Sequence, residues 1–115
     1  MKVEPQSGSL LVGFIGTENF AILNCSIFAG SEKQFVVWSV QNFRSNAAVQ
    51  KIENATAPEL FCVTNQSDHH NVFTQSHFLI RNLNSDLDSV TIFCGTERKP
   101  QLANFTLKVY RKCIA

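Results

Sequence analysis

Four cysteines are the side chains of this sequence with the most distinctive chemistry. Cys25, Cys62, Cys94 and Cys113 lie far apart, and none belongs to a C-x-x-C pair of the kind that binds zinc or performs thioredoxin-type redox chemistry. Four cysteines allow three disulfide connectivities. An even number of them is typical of a chain that folds in an oxidising compartment, so we expect structural disulfides here.

The tract Asp68-His69-His70 contains side chains that can bind a metal ion. One short tract brings no neighbouring groups to orient such ligands, so we interpret it as a solvated loop and predict no metal site. The patterns G-x-S-x-G, H-E-x-x-H and G-x-x-x-x-G-K-[ST] do not occur in the sequence, and its carboxylates are scattered. We therefore predict that the chain is not an enzyme and needs no cofactor.

Acceptor triplets for N-glycosylation, N-x-S/T, begin at Asn24, Asn54, Asn65 and Asn104. Chance alone would give roughly one or two in a chain of this composition. This excess agrees with the even number of cysteines. We expect an extracellular glycoprotein, either on a cell surface or secreted.

Length and charge restrict the class of protein further. The chain has 115 residues, 44% of them hydrophobic, which suffices for one domain with one core over residues 1–115. We expect residues 1–8 to form a flexible N-terminal segment. The formal net charge of +1 argues against nucleic acid or an anionic membrane as partner. No apolar run reaches the ~18–20 residues of a transmembrane helix, so any membrane anchor would lie outside this chain.

Apolar residues alternate with polar ones at a period of two, which predicts strands rather than helices. Short runs rich in Val, Ile, Phe and Thr are separated by clusters of Gly, Asn, Ser and Asp, as in all-β sandwiches and barrels. We predict strands at residues 9–15, 21–27, 35–41, 49–52, 60–64, 77–83, 90–95 and 102–110. The alternation places Cys25, Trp38 and Cys94 on inward faces.

Three local motifs resemble those of the immunoglobulin superfamily, and the resemblance covers nearly the whole chain. The motifs are Leu23-Asn24-Cys25, Val36-Val37-Trp38 and residues 88–94, DSVTIFC. The resemblance implies a two-sheet antiparallel Greek-key sandwich with a Cys25–Cys94 disulfide packed against Trp38. The sequence separation of 56 from Trp38 to Cys94 leaves room for the extra strands of a variable-type domain.

The sequence departs from antigen-receptor variable domains at three places, one of which is Val90 where the family has a small residue. Ile92 occupies the position of the family's tyrosine-corner residue, and residues 102–109 lack a Gly-x-Gly bulge. The resemblance therefore implies a cell-surface or adhesion-type domain rather than an antibody or T-cell receptor. It also implies that Cys62 and Cys113 lie at the same end of the domain, where they could form a second disulfide. The alternatives are that Cys113 pairs with another chain or is a loose thiol, and that Cys62 is a buried free thiol.

The outward side of the third and late strands is the candidate protein-binding surface. The residues predicted there are Phe35, Val37, Ser39, Phe43 and Phe93, and exposed aromatic side chains commonly anchor interfaces. The resemblance implies that the partner is another protein or a second copy of the chain. A glycan on Asn104 would obstruct part of this surface.

The alternative binding surface consists of the end loops at residues 29–34, 42–46 and 95–101, in which Arg98 and Lys99 give a charged tip. A signalling receptor or secreted decoy would capture a soluble ligand there. A third possibility is a structural spacer domain, in which the exposed apolar residues are scattered and bind nothing.

Overall fold

Two packed β-sheets make up the computed structural model, which describes residues 1–28, 34–53, 56–67 and 73–111. Residues 85–87 form a single 3₁₀ turn, and no helix within the described ranges is long and apolar enough to span a membrane. The strands are β1 Lys2–Glu4, β2 Ser9–Phe14, β3 Glu18–Phe28, β4 Val37–Gln41, β5 Gln50–Lys51, β6 Phe61–Ser67, β7 Phe73–Asn82, β8 Thr91–Gly95 and β9 Ala103–Tyr110.

The strand order confirms the predicted all-β sandwich. One sheet has the order β1-β3-β7-β6 and the other has the order β2-β9-β8-β4-β5. Every strand pair is antiparallel except β2 and β9, which run parallel. The architecture, together with the disulfide between the sheets, is compatible with an immunoglobulin-like domain.

The N-terminal segment differs from the expectation of a flexible tail over residues 1–8. Strand β1 pairs with β3, and the chain then passes through a cis Glu4–Pro5 peptide into β2 of the opposite sheet. Gly8 donates its amide hydrogen to the Asn104 carbonyl at 2.8 Å, and Ser7 Oγ accepts from the Asn104 amide at 3.1 Å. The backbone groups of the segment pair with both sheets, a long-range pairing that its own sequence does not indicate.

The core is centred on the disulfide between Cys25 and Cys94, whose Cα atoms lie 6.8 Å apart. Cys25 lies on the inward face of β3 together with Leu23 and Ile27, as the alternation predicts. Trp38 is buried beside the bond, directly opposite Cys94 in the β4–β8 register. The predicted disulfide and the predicted core position of Trp38 are therefore both found.

A buried hydroxyl group satisfies the polar edge of the tryptophan. The Trp38 indole Nε1–H donates to Ser76 Oγ at 2.7 Å, and Ser76 Oγ donates to the Thr64 carbonyl at 3.2 Å. Ser76 and Thr74 both point into the core from β7. Because these inward positions are polar, the alternation did not indicate that β7 begins at Phe73 instead of at residue 77.

An interlocking row of aromatic rings fills the space between the sheets. The ring centroids are 5.0 Å apart for Trp38 and Phe78, 5.0 Å for Phe78 and Phe61, and 5.4 Å for Phe61 and Phe43. The planes are tilted, an arrangement that aromatic pairs favour. The row joins β4 to β6 and β7, so it holds the two sheets together alongside the disulfide.

Strand β2 packs closely onto the core because its inward residue, Gly13, has no side chain. A Cβ atom at this position would overlap Leu83 Cδ1 and would lie 2.5 Å from Phe20 Cε1. Leu83 is buried and Phe20 packs against the core cluster. Gly13 therefore sets the distance between the edge of the five-stranded sheet and the residues beneath it.

We predict that Gly13→Ala lowers the free energy of unfolding by about 1–3 kcal/mol, the usual cost of overpacking a filled core. Val12→Ala, on the exposed side of the same strand, is the matched control and should change stability by less than about 0.5 kcal/mol. Urea denaturation at low protein concentration measures both. Equal stability of the two variants would show that Leu83 and Phe20 move aside without cost.

We also predict that reducing the Cys25–Cys94 bond lowers the free energy of unfolding by up to about 4 kcal/mol, because the closed loop spans a sequence separation of 69. Urea denaturation of the Cys62→Ala variant, with and without reductant, measures the effect of this bond without any contribution from the Cys62 thiol. An unchanged urea midpoint on reduction would contradict the prediction.

Candidate protein-binding surface

The five-stranded sheet has one face against the core and one face toward solvent, which we call the outer face. Alternate residues of each strand point to it, because successive side chains of a strand lie on opposite faces. In β9 the buried residues are Ala103, Phe105, Leu107 and Val109, so the residues between them are on the outer face. The strand registers then align the outer-face residues Leu10, Val12, Phe14, Val37, Ser39, Lys51, Phe93, Asn104, Thr106, Lys108 and Tyr110.

The predicted binding residues are only partly accessible on this face. Phe35 is half exposed, and Phe93 is half-buried. Val37 and Ser39 are 8% and 3% exposed, so the expectation that they project into solvent is wrong. Ser39 has a short side chain in a central strand, directly between Phe93 and Lys51 in the register. Its Oγ atom is buried without a hydrogen-bond partner.

Phe43 does not lie on the outer face at all. It is 4% exposed and packs its ring against Phe61, so its assignment to the binding surface is wrong. The reason is local: β4 ends at Gln41, and Asn42 has a positive φ of 65°. This left-handed residue turns the chain, so the alternation of the strand no longer applies to Phe43.

Strand β2 contributes accessible apolar residues to the outer face, and the sequence pattern did not assign them to any surface. Leu10, Val12 and Phe14 are 60%, 51% and 47% exposed, and we call them the apolar row. Phe14 lies next to the half-exposed Tyr110 of β9 in the parallel register. The segment LLVGF is apolar at every position, so no polar residue indicates which of its faces meets solvent.

Charges border the apolar row but do not interrupt it. Lys108 lies beside Val12 in the register, and its Nζ atom is 3.4 Å from Asp88 Oδ1. The Val109 amide donates to Asp88 Oδ1 at 3.0 Å, and this bond, with the help of Lys108, lowers the pKa of Asp88 below its ordinary value. On the far side of the sheet Lys51 Nζ pairs with Glu97 Oε1 at 3.1 Å.

The hairpin at residues 95–101 holds Arg98 and Lys99 in exposed positions, as predicted. Thr96 fixes its shape, because its amide donates to the Lys99 carbonyl at 3.0 Å and its Oγ1 accepts from the Lys99 amide at 3.1 Å. Gly95 is required at its base, since a Cβ atom there would overlap the Lys99 carbonyl oxygen. The charged tip therefore sits on a well-defined turn at the end of the sandwich.

The glycosylation triplets lie in different environments. Asn65 and Asn104 are exposed, and Asn104 is on the outer face next to Phe93. Asn24 is half-buried between Glu4 and His77, and its Oδ1 atom is buried without a hydrogen-bond partner. Asn54 lies outside the described residues. Modification of these sites stays a prediction.

The second cysteine pair is not seen. Cys62 is a half-buried free cysteine on β6, and Cys113 lies outside the described residues, so a Cys62–Cys113 bond stays a prediction. The tract at residues 68–70 and the loop at residues 29–33 also lie outside the described ranges. Within those ranges no group of three or more His, Cys, Asp and Glu residues could hold a metal ion.

Comparison of the sequence with models of protein families and with curated proteins found no match. The class of protein therefore has to be inferred from the sandwich, its disulfide and the surface described above.

We predict that Asp88→Asn reduces the loss of stability in acid. Because the pKa of Asp88 is lowered in the folded state, its contribution is fully present above the ordinary aspartate pKa of about 3.9 and is lost as the pH falls through the lower folded value. Urea midpoints between about pH 5 and pH 2 measure this effect.

The matched control is Lys108→Met, which keeps the hydrogen bond from the Val109 amide to Asp88. Since this bond is the main cause of the lowered pKa, the control should retain most of the acid dependence. Glu59 also has a lowered pKa, caused by its own backbone amide and then by Arg44, so part of the dependence persists in Asp88→Asn. Identical pH profiles for wild type and Asp88→Asn would contradict the prediction.

Proposed function

We propose that the chain is a variable-type immunoglobulin domain of a cell-surface recognition or adhesion receptor, and that it binds another protein through the outer face. The observation that carries this proposal is the apolar row of Leu10, Val12 and Phe14, continued by Tyr110 on the neighbouring strand. Contiguous exposed apolar residues on a folded domain commonly mark a contact with another protein.

The variable-type assignment is supported by the topology of the two sheets. The N-terminal segment is divided between them as β1 and β2, and the short β5 extends the sheet of β2, β9, β8 and β4 beyond β4. Variable-type domains carry extra strands at that edge of that sheet. Strand β5 has two residues, Gln50–Lys51, and β6 begins at Phe61.

The extracellular location is supported by the disulfide and by the four acceptor triplets. Disulfides form and persist in oxidising compartments, and the Cys25–Cys94 bond is buried in the core. Asn65 and Asn104 expose their side chains, so both are suited to carry a glycan. A glycan on Asn104 would cover the side of the outer face near Phe93 and would leave the far end of the apolar row, at Phe14, accessible.

A second candidate is ligand capture by the hairpin at residues 95–101. The observation in its favour is that Thr96 holds the exposed Arg98 and Lys99 on a well-defined turn. Such a tip suits a soluble ligand of acidic character.

We predict that Val12→Glu combined with Phe93→Glu weakens binding at least about tenfold, because a charge buried in an apolar contact costs well over 1.4 kcal/mol. The measurement is a titration of the tetramerised domain onto a panel of intact cells. The matched control is Thr64→Glu, an exposed position on β6 in the other sheet; it should bind as wild type does.

The double variant Arg98→Glu with Lys99→Glu distinguishes the two candidates in the same titration. Unchanged binding of this variant supports the outer face. If it alone loses binding, the hairpin is the binding site and the proposal for the outer face fails. If wild type binds none of the cells on the panel, the recognition function as proposed is rejected for those cells.

A further inference from the structure

Over the described residues the sheets have four edge strands, and three of them offer little apolar contact to a further strand. Strand β1 has three residues with charged Lys2 and Glu4, and β5 has two residues including Lys51. Strand β6 exposes the polar run from Thr64 to Ser67. Short edges and charged side chains are usual means by which proteins prevent edge-to-edge association, and the exposed polar side chains of β6 give a further strand no apolar surface to cover.

Strand β2 is the exception among these edges. It has six residues, Ser9–Phe14, with no charged residue and no proline, and its exposed side chains are the apolar row. An edge strand that is this long, apolar and uncharged is a template for pairing with a further strand.

The backbone of β2 has groups available for such pairing. At the end of the strand, the Ile15 amide donates to the Tyr110 carbonyl at 2.9 Å. In a parallel pair, alternate residues direct their backbone groups to the neighbouring strand, so Gly13 and Leu11 share this direction with Ile15. Leu10 and Val12 therefore direct their N–H and C=O groups toward the open edge.

We propose that β2 pairs antiparallel with β2 of a second copy of this chain, about a twofold axis that passes beside Val12. The two five-stranded sheets then form one continuous sheet across the junction. Val12 lies opposite Val12 of the second copy, and Leu10 lies opposite its Phe14. This inference rests on the proposed function in using the same face, and it adds the identity of the partner and the geometry of the contact.

A second copy fits this edge because the row is self-complementary. Leu10 and Phe14 are equally distant from Val12, so a twofold axis there matches apolar residues with apolar residues on both sides. Neither strand brings a charge to the junction, and the formal net charge of +1 gives two copies little reason to repel each other.

The size of the contact indicates a weak, reversible dimer. At their exposed fractions, the three side chains leave on the order of 250 Å² of apolar surface open on each copy. A standard stable interface buries about 800 Å² per partner. The backbone hydrogen bonds across the junction add to the apolar contact. We therefore expect a dissociation constant of about 10 µM to 1 mM.

Sedimentation equilibrium at protein concentrations from about 1 µM to 1 mM tests whether the partner is a second copy and whether the twofold axis passes beside Val12. Wild type and the control Thr64→Lys should show the same monomer–dimer equilibrium. Val12→Lys alone and Val12→Glu alone should be at least tenfold weaker in self-association, because like charges then lie directly opposite each other. An equimolar mixture of the two variants should regain association, since Lys then faces Glu. If each variant is monomeric and the mixture also fails to associate, the twofold axis does not pass beside Val12.

Hydrogen exchange of single amides distinguishes edge pairing from a dimer formed face to face. The Val12 amide should become at least tenfold more protected as the concentration rises through the dimerisation range, because it donates to the second copy. A dimer without this protection would overturn the edge geometry. A wild type that stays monomeric up to 1 mM would overturn the inference altogether, and the cell titration decides separately whether the outer face binds a different protein.

Discussion

The Cys25–Cys94 bond decides which face of each sheet is internal, and the rest of the molecule follows from that choice. The bond joins β3 of one sheet to β8 of the other. Trp38 and Phe78 pack around it, and Ser76 takes up the tryptophan N–H. Because strand side chains alternate, a residue of β3 or β8 at an even spacing from its cysteine points inward, and the residues between point to the other side of the sheet. The residues chosen for the core therefore also determine which residues lie on the outer sides of the sheets.

Much of the fold could be predicted from the sequence where the alternation is clear. In β3, β8 and β9 apolar and polar residues alternate regularly, and these strands lie close to their predicted positions. The prediction fell short where the inward residues are polar, as at Thr74 and Ser76 in β7. It also missed β1, because the partner of that strand lies 20 to 24 residues further along the chain. Such long-range pairing leaves no trace in a local pattern.

The candidate surface was less predictable than the fold. Phe43 was misplaced because one left-handed residue, Asn42, breaks the alternation just after β4. Val37 and Ser39 point outward as expected, yet both are buried, and Ser39 lies between the larger Phe93 and Lys51 in the register. The apolar row went unnoticed because exposure depends on which strand ends a sheet, and β2 takes that place only through its parallel pairing with β9. The face to which a side chain of a strand points follows from the sequence. Its exposure to solvent depends on where the strand lies in the sheet.

The parallel pairing of β2 and β9 also determines how the domain responds to tension. The strands start at the same end of the sandwich, so a pull on the chain before β2 and after β9 acts along both strands in opposite directions. The hydrogen bonds between them are then loaded together in shear, instead of being opened one after another. The Cys25–Cys94 bond lies inside this pair and keeps the segment between the cysteines, which spans a sequence separation of 69, from extending. We therefore expect a domain built in this way to resist stretching along these two strands.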